Sequence, residues 1–285
     1  MRLLGLLVVL ALGGAATAHA ADDTACNQAP GDRFFWVERA FCDLEMAGPE
    51  RAQGVIIWNH GIRGTSESWK APVPPTLRLL QRRGWDVVVI KRHHLAETMP
   101  GGPLYRTVRR TLEEAGLRKR AGYAKVALAG QSFGGYVALE TIDTSPDLDA
   151  AIAFAPGVRA AGPQGALDAA IVERILQRAR VGRLALVFPR HDAVFGNVPR
   201  GERAGRILAT RDFPWWMVDE SAPDVTGHGA ATTSDFAIKY GSCLAEFLRS
   251  APLPTGRFTC TSRVDDGRIV YELLAPRRSL APVAR

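Results

Sequence analysis

Ser132 stands in Gly130-Gln131-Ser132-Phe133-Gly134, after the apolar run Val126-Ala127-Leu128-Ala129 and ahead of the helix-like stretch Tyr136-Val137-Ala138-Leu139-Glu140. Gly-x-Ser-x-Gly between a buried strand and a helix is the pattern of a nucleophile elbow. The chain reverses within a few residues, so the serine backbone is strained, and small neighbours at Gly130 and Gly134 let the two segments pass. The turn lifts the Ser132 hydroxyl into a crevice at the carboxyl end of a sheet, with a helix N-terminus aimed at it. A Gly-rich turn with an incidental serine is the alternative, and the strand and helix flanks weigh against it. A serine hydroxyl is a poor nucleophile near neutral pH and needs a base within hydrogen-bond reach. An imidazole in that role needs a carboxylate on Nδ1 to fix its tautomer and stabilise the imidazolium. Beyond residue 20 the histidines are His60, His93, His94, His191 and His228, and the acids in question are Asp192, Asp219 and Asp224.

The elements that must hold these residues alternate along the chain. The run 34–46 is aromatic and strand-like, and Val55-Ile56-Ile57-Trp58 is a buried strand leading into Asn59-His60-Gly61-Ile62-Arg63-Gly64. A helix within 72–83 stops at Gly84, where glycine takes the left-handed cap at least cost. The β-branched run 86–90 predicts a strand covered on both faces, and 104–120 a long helix. Beyond the elbow the pattern predicts strands at 150–155, 183–188 and 213–218, with helices at 166–180 and 202–208 between them. A closing helix follows at 233–249, bent at Gly241, and then a hairpin at 258–274 around Asp266-Gly267. Strands alternating with helices from 55 to 250 predict an α/β fold, a mostly parallel sheet with helices on both faces. With no repeat or linker, the expectation is one domain over 21–285, its core at about 34–250 and a β appendage at about 255–275.

The 285 residues are 47% hydrophobic, which excludes general disorder. Residues 1–20 read as a cleavable signal: Arg2, an apolar stretch Leu3–Leu12, and Ala18-His19-Ala20 as the cleavage site. The acidic Asp23 ahead of Cys26 argues against lipoprotein processing. No later stretch is long and apolar enough to span a bilayer, so an exported, soluble protein is expected, in the periplasm or secreted. The four cysteines, Cys26, Cys42, Cys243 and Cys260, all follow the signal and predict two disulfides. Of the three connectivities, Cys26–Cys42 with Cys243–Cys260 is favoured, each closing a short loop near a chain end. No C-x-x-C pair supports zinc. The formal charge of +7 falls to about +6 without Arg2. The basic clusters lie on or at the ends of predicted helices without interleaved aromatics, which argues against a nucleic-acid partner.

The pattern Gly130–Gly134, the loop His60–Gly64 and the order serine, acid, histidine resemble the α/β-hydrolase family, over about residues 34–250. The resemblance implies Ser132 as nucleophile. His228, between the last predicted parallel strand and the last helix, takes the place of the base, and Asp192, after the preceding strand, that of the acid. Asp219 and Asp224 rank behind Asp192. His60 belongs to an HG-x-x-G loop, and His93 and His94 to the surface or the pocket wall. The resemblance also implies an oxyanion hole from the backbone N–H groups of Phe133 and Ile62, worth about 2.7–4 kcal/mol per donor. Only 156–182 separates the strand after the elbow from the acid strand, so a lidless site is expected, like those of dienelactone-hydrolase-like proteins and small esterases. Ser132 stands where the former carry cysteine, which favours ester substrates. The implied protein is a serine hydrolase of small-molecule esters needing no cofactor or metal. A peptidase on the same scaffold and a non-catalytic envelope binding protein are the rivals. Trp69, Trp215 and Trp216 are expected to be packing residues.

Overall fold

The apolar runs become strands because both of their faces are covered. In β2 (Gly54–Asn59) and β3 (Trp85–Arg92) every residue is buried. The same holds for β5 (Ala150–Phe154), β6 (Leu184–Val187) and β7 (Pro214–Val218), and for β4 (Val126–Gln131) as far as Gly130. The structure, a computed structural model, describes residues 34–62, 68–93, 103–145, 148–158, 163–195, 199–249 and 252–276.

The sheet order is β1-β3-β2-β4-β5-β6-β7-β8-β9, with β1 (Phe35–Arg39), β8 (Gly256–Asp265) and β9 (Arg268–Leu274) completing it. Pairing from β3 to β8 is parallel, and the two outermost strands run antiparallel. Alternate residues of each strand feed opposite layers, as the pleat requires. Val55 and Ile57 join Leu139, Ile142, Leu176 and Leu208 on one face. These come from α3 (Phe133–Thr144), α4 (Pro163–Arg178) and α5 (Arg200–Leu208), and α2 (Pro103–Arg120) adds Ala115. Ile56 and Trp58 join Leu77, Leu80, Leu244 and Phe247 on the other face, from α1 (Pro75–Arg82) and α6 (Ser234–Leu248).

This winding determines where a site can form. The chain goes outward from β2 to β3, then crosses back over β2 to lay down β4 and continues the other way. The carboxyl ends of β2 and β4 therefore flank the switch in direction, where open α/β sheets hold their ligands. In register, Asn59 lies beside Gly130. His60-Gly61 and Gln131-Ser132 consequently leave the sheet side by side.

Some boundaries differ from expectation. Within 34–46 only Phe35–Arg39 is strand. The segment beyond is held by Asp86, whose carboxylate accepts from the N–H groups of Ala47 (2.7 Å) and Gly48 (2.8 Å) and from the Tyr123 hydroxyl (2.7 Å). α6 runs unbroken through Gly241, where the missing side chain admits α1: a Cβ there would lie 3.1 Å from Leu79 Cδ1. The C-terminal hairpin turns at Asp266-Gly267, both at positive φ (46° and 73°), the two-residue geometry that matches strand twist. It continues the main sheet, since Trp215 and Trp216 on β7 pair with Arg257 and Phe258 on β8. Cys243 on α6 and Cys260 on β8 pair with Cα atoms 5.8 Å apart, inside the range a disulfide requires. Cys42 is also disulfide-bonded, and Cys26 lies outside the described residues. Trp69, Trp215 and Trp216 are all buried.

Candidate active site

Ser132 has φ 55° and ψ −121°, a strained conformation for a residue with a side chain. Its neighbours enforce it. A Cβ at Gly130 would lie 2.1 Å from the Gly134 carbonyl, and one at Gly134 would lie 1.9 Å from Asn59 O. No side chain fits at either place, which is the physical content of the Gly-x-Ser-x-Gly spacing. The turn is pinned from β5: Ser132 N–H donates to Phe154 O (2.9 Å), and Ser132 O accepts from Tyr136 N–H (2.9 Å) and Gly157 N–H (3.2 Å). Phe133 is the first residue of α3, so its N–H is one of the donors a helix leaves unpaired at its start.

The acid and the imidazole are brought together by a short parallel bridge between the loops after β6 and β7. Arg190 pairs with Thr226; Arg190 N–H donates to Val225 O (2.8 Å) and Gly227 N–H to Arg190 O (2.7 Å). Asp192 lies two residues past one member of that bridge and His228 two past the other. Equal offsets on parallel segments make them face each other: His228 Nδ1 is 3.0 Å from Asp192 Oδ2. The other carboxylate oxygen accepts from Val194 N–H (3.0 Å) and Phe195 N–H (3.3 Å). The Phe195 ring stands edge-on to the imidazole, centroids 5.1 Å apart.

The rival acids are engaged elsewhere. Asp219 accepts from Arg257 (3.0 Å) and Ser221. Burial opposes its ionisation, but the Ser221 hydrogen bonds and the Arg257 charge outweigh burial and hold its carboxyl below the usual range. Asp224 accepts from Lys239 and from the Tyr240 hydroxyl, both at 3.0 Å, so it ties the His228 loop to α6. Thr233 then caps α6, accepting from Phe236 N–H at 3.2 Å, a contact worth about 1 kcal/mol.

Ser132 and His228 line one cavity of about 560 Å³, with Gly61, Ile62, Gln131, Trp58, Pro72 and Val73 among its walls. Thr232, Thr233 and Ser234 also line it. The Gly61 loop lies against the elbow, since a Cβ on Gly61 would be 3.4 Å from Ser132 Cβ. Arg63 and Gly64 of the HG-x-x-G loop, and His94, lie outside the described residues. His93 is half-buried, its N–H donating to Phe34 O at 2.9 Å. His191 is exposed beside Asp192, at φ 52°. Among the described residues no three His, Cys, Asp or Glu side chains gather as a metal site.

Two contributors, and the buried role of His60, were not evident from the sequence. Gln131, a variable position of the elbow pattern, donates to His228 O at 3.4 Å and joins the elbow to the histidine loop. Arg92, fully buried at the end of β3, reaches His60 and Gly61. His60 is itself buried, its imidazole held well below the usual range by burial first and by the Arg92 charge second. The one sequence signal for Arg92 is a charged residue ending a β-branched run.

No protein-family model and no curated protein sequence matches the chain. Solved structures do. A CIB-like hydrolase of Thermoplasma acidophilum is similar at TM-score 0.51 and 17% identity, over 76% of this chain and 93% of that one. A puromycin-hydrolyzing peptidase of Mycobacterium tuberculosis gives 0.51 and 16%, over 78% of this chain but only 39% of that one. An esterase of Pyrococcus furiosus gives 0.50 and 15%, over 69% and 82%. At such identities the likeness is one of fold, and the fold is that of the α/β-hydrolases. Between β5 and β6 the described residues hold the single crossover helix α4.

Proposed function

We propose that this protein is an exported serine hydrolase that cleaves carboxylic esters of small molecules through an acyl-enzyme. The observation that carries the reading is one cavity lined by a serine on a strained strand-to-helix turn and by a histidine whose Nδ1 faces a buried carboxylate. In this reading His228 Nε2 takes the Ser132 proton as Oγ attacks the ester carbonyl carbon. The N–H groups of Phe133 and Ile62 receive the oxyanion, and Asp192 stabilises the imidazolium. The tetrahedral intermediate collapses, and the leaving alkoxide takes the proton from His228. Water then attacks the acyl-enzyme, giving its proton to His228, and the second tetrahedral intermediate expels Ser132 Oγ, which takes that proton back from His228 as the acid is released.

The lining supports an uncharged substrate. Apart from His60 and His228, the described wall residues carry no ionisable side chain, which favours an uncharged ester over a peptide gripped by its amino terminus. Export rests on the segment 1–20, and the Cys243–Cys260 pairing suits an oxidising compartment. N-terminal sequencing of protein from the producing cell checks the cleavage after Ala20.

The deciding test is a fluorophosphonate probe on the purified oxidised protein, with peptide mapping. Label on Ser132, lost in His228→Ala, is the expected result. Folded protein that takes no label would remove the reading in favour of a binding scaffold.

A further inference from the structure

The carbonyl of Gly61 and the N–H of Ile62 belong to one peptide unit, so whatever holds the carbonyl also aims the N–H. Gly61 O is held from the buried side by two donors: His60 Nδ1–H at 2.8 Å and Arg92 Nη2–H at 3.1 Å. The same Arg92 nitrogen donates to His60 O at 2.6 Å. The histidine tautomer follows from its other nitrogen. Nε2 accepts the backbone N–H of Arg92 at 2.9 Å, so the ring proton must sit on Nδ1, where it meets the Gly61 carbonyl. The 3.3 Å approach of Arg92 Nη2 to His60 Nδ1 is then a contact between two donors and no hydrogen bond.

A trans peptide points its C=O and N–H in opposite directions. No cis peptide occurs among the described residues. With Gly61 O drawn towards the buried His60–Arg92 layer, the Ile62 N–H is turned the other way, towards the cavity that Gly61, Ile62 and Ser132 line. Rotating that peptide plane would break both hydrogen bonds to Gly61 O and leave two largely buried donors, His60 at 3% exposure and Arg92 at 0%, without that acceptor. The same guanidinium lies 4.8 Å from the centroid of the Phe133 ring, and Phe133 carries the second candidate donor. One buried side chain therefore touches the supports of both N–H groups without itself lining the cavity.

We propose that Arg92, together with His60, is a positioning residue of the oxyanion hole: it clamps the Gly61–Ile62 peptide and backs Phe133, so that both donors are aimed before substrate arrives. This rests on the serine-hydrolase reading above. The clamp matters because donors fixed in advance cost no reorganisation as charge develops on the carbonyl oxygen. Arginine suits the task better than lysine because Nη2 can donate to both neighbouring carbonyls while the rest of the planar guanidinium lies over the Phe133 ring.

The test uses the full-length protein with Arg92→Met and Arg92→Lys. The readouts are kcat and KM on a short-chain p-nitrophenyl ester and affinity for a trifluoromethyl ketone. Ser132 Oγ adds to the carbonyl carbon of that ketone as the serine proton passes to His228, which leaves a hemiketal oxyanion between the two donors. Arg92→Met is expected to lower kcat by roughly 10- to 100-fold, less than outright loss of a donor, with KM within about twofold. Ketone affinity should fall by a similar factor, and Arg92→Lys should recover part of both. A residue that merely fills the core would lower Tm and leave the kcat of the folded fraction alone. A folded Arg92→Met with wild-type kcat, or a loss confined to KM, overturns the clamp. If Arg92→Met does not fold, Arg92→Lys decides: lowered kcat at unchanged KM supports the clamp, and wild-type kcat overturns it. If the wild type takes no fluorophosphonate on Ser132, the serine-hydrolase reading falls and the clamp with it. Labelled wild type with normal turnover in the variants removes the clamp alone.

Discussion

Two histidines flank Ser132, and their surroundings assign them opposite work. His60, after β2, uses both ring nitrogens within the protein: Nδ1 on the Gly61 carbonyl, Nε2 on the Arg92 N–H. It is buried, with Arg92 and Lys91 as charged neighbours, and is held neutral. His228, on the loop after β7, commits only Nδ1 among the described residues, and its partner is a carboxylate; its side chain keeps 21% exposure. An imidazole that faces a carboxylate can accept a proton at Nε2 with the new charge already compensated. One that faces an amide donor at Nε2 and cations beyond it cannot. The partner on each nitrogen, more than the residue type, separates a candidate base from a structural strut.

The contrast predicts effects of very different size. The largest is on activity: Asp192→Asn should lower kcat about 10⁴-fold by removing the charge that holds the tautomer and stabilises the imidazolium. Asp224→Asn, which alters only the Lys239 and Tyr240 ties, should stay within about threefold of wild type. Steady-state kinetics on one ester checks both, and equal losses would dissolve the distinction between these acids.

The next effect is on stability. His60→Ala removes the acceptor from the Arg92 N–H and one donor from Gly61 O in a packed layer, and should cost about 3 kcal/mol in urea unfolding. His228→Ala, part-exposed, should cost no more than about 1 kcal/mol while abolishing turnover. Comparable unfolding midpoints for the two variants would break the contrast at its root.

The smallest effect is a pH slope. Folding holds His60 below its unfolded value of about 6.5. Below that pH the unfolded chain binds a proton that the folded chain refuses. The contribution of His60 is thus complete above about pH 6.5 and shrinks as pH falls towards the folded value, by at most about 1.4 kcal/mol per unit. Urea midpoints between pH 7 and 5 should fall less steeply in His60→Gln than in wild type, and identical slopes would show that His60 does not titrate out of register with the unfolded chain.

The parts of the molecule legible in the sequence are those governed by local rules. Fully covered strands read as continuous apolar runs, and the elbow reads as two glycines because no Cβ fits between Asn59 and Gly134. The hairpin reads from Asp266-Gly267, where positive φ is required twice. β1 was less legible because it is a half-buried edge whose end is set by contacts with β3 and Asp86 rather than by its own pattern. The clamp on Gly61 was illegible for a related reason. Arg92 and His60 are 32 residues apart and meet only through the register of β2 on β3. Asp192 could be ranked above Asp219 and Asp224 from strand order, but its facing of His228 depends on the Arg190–Thr226 bridge, which has no sequence signature.

The strand order also bears on how the protein comes into being. From β5 onward each strand docks on the one made just before it, so the sheet can grow by accretion at one open edge as the chain is synthesised. The elbow belongs to β4, whereas the partners of Ser132 arrive only with the loops after β6 and β7. The hydroxyl is thus installed well ahead of the imidazole, and a nascent or truncated chain lacking that loop carries the elbow serine without the histidine that lines the same cavity.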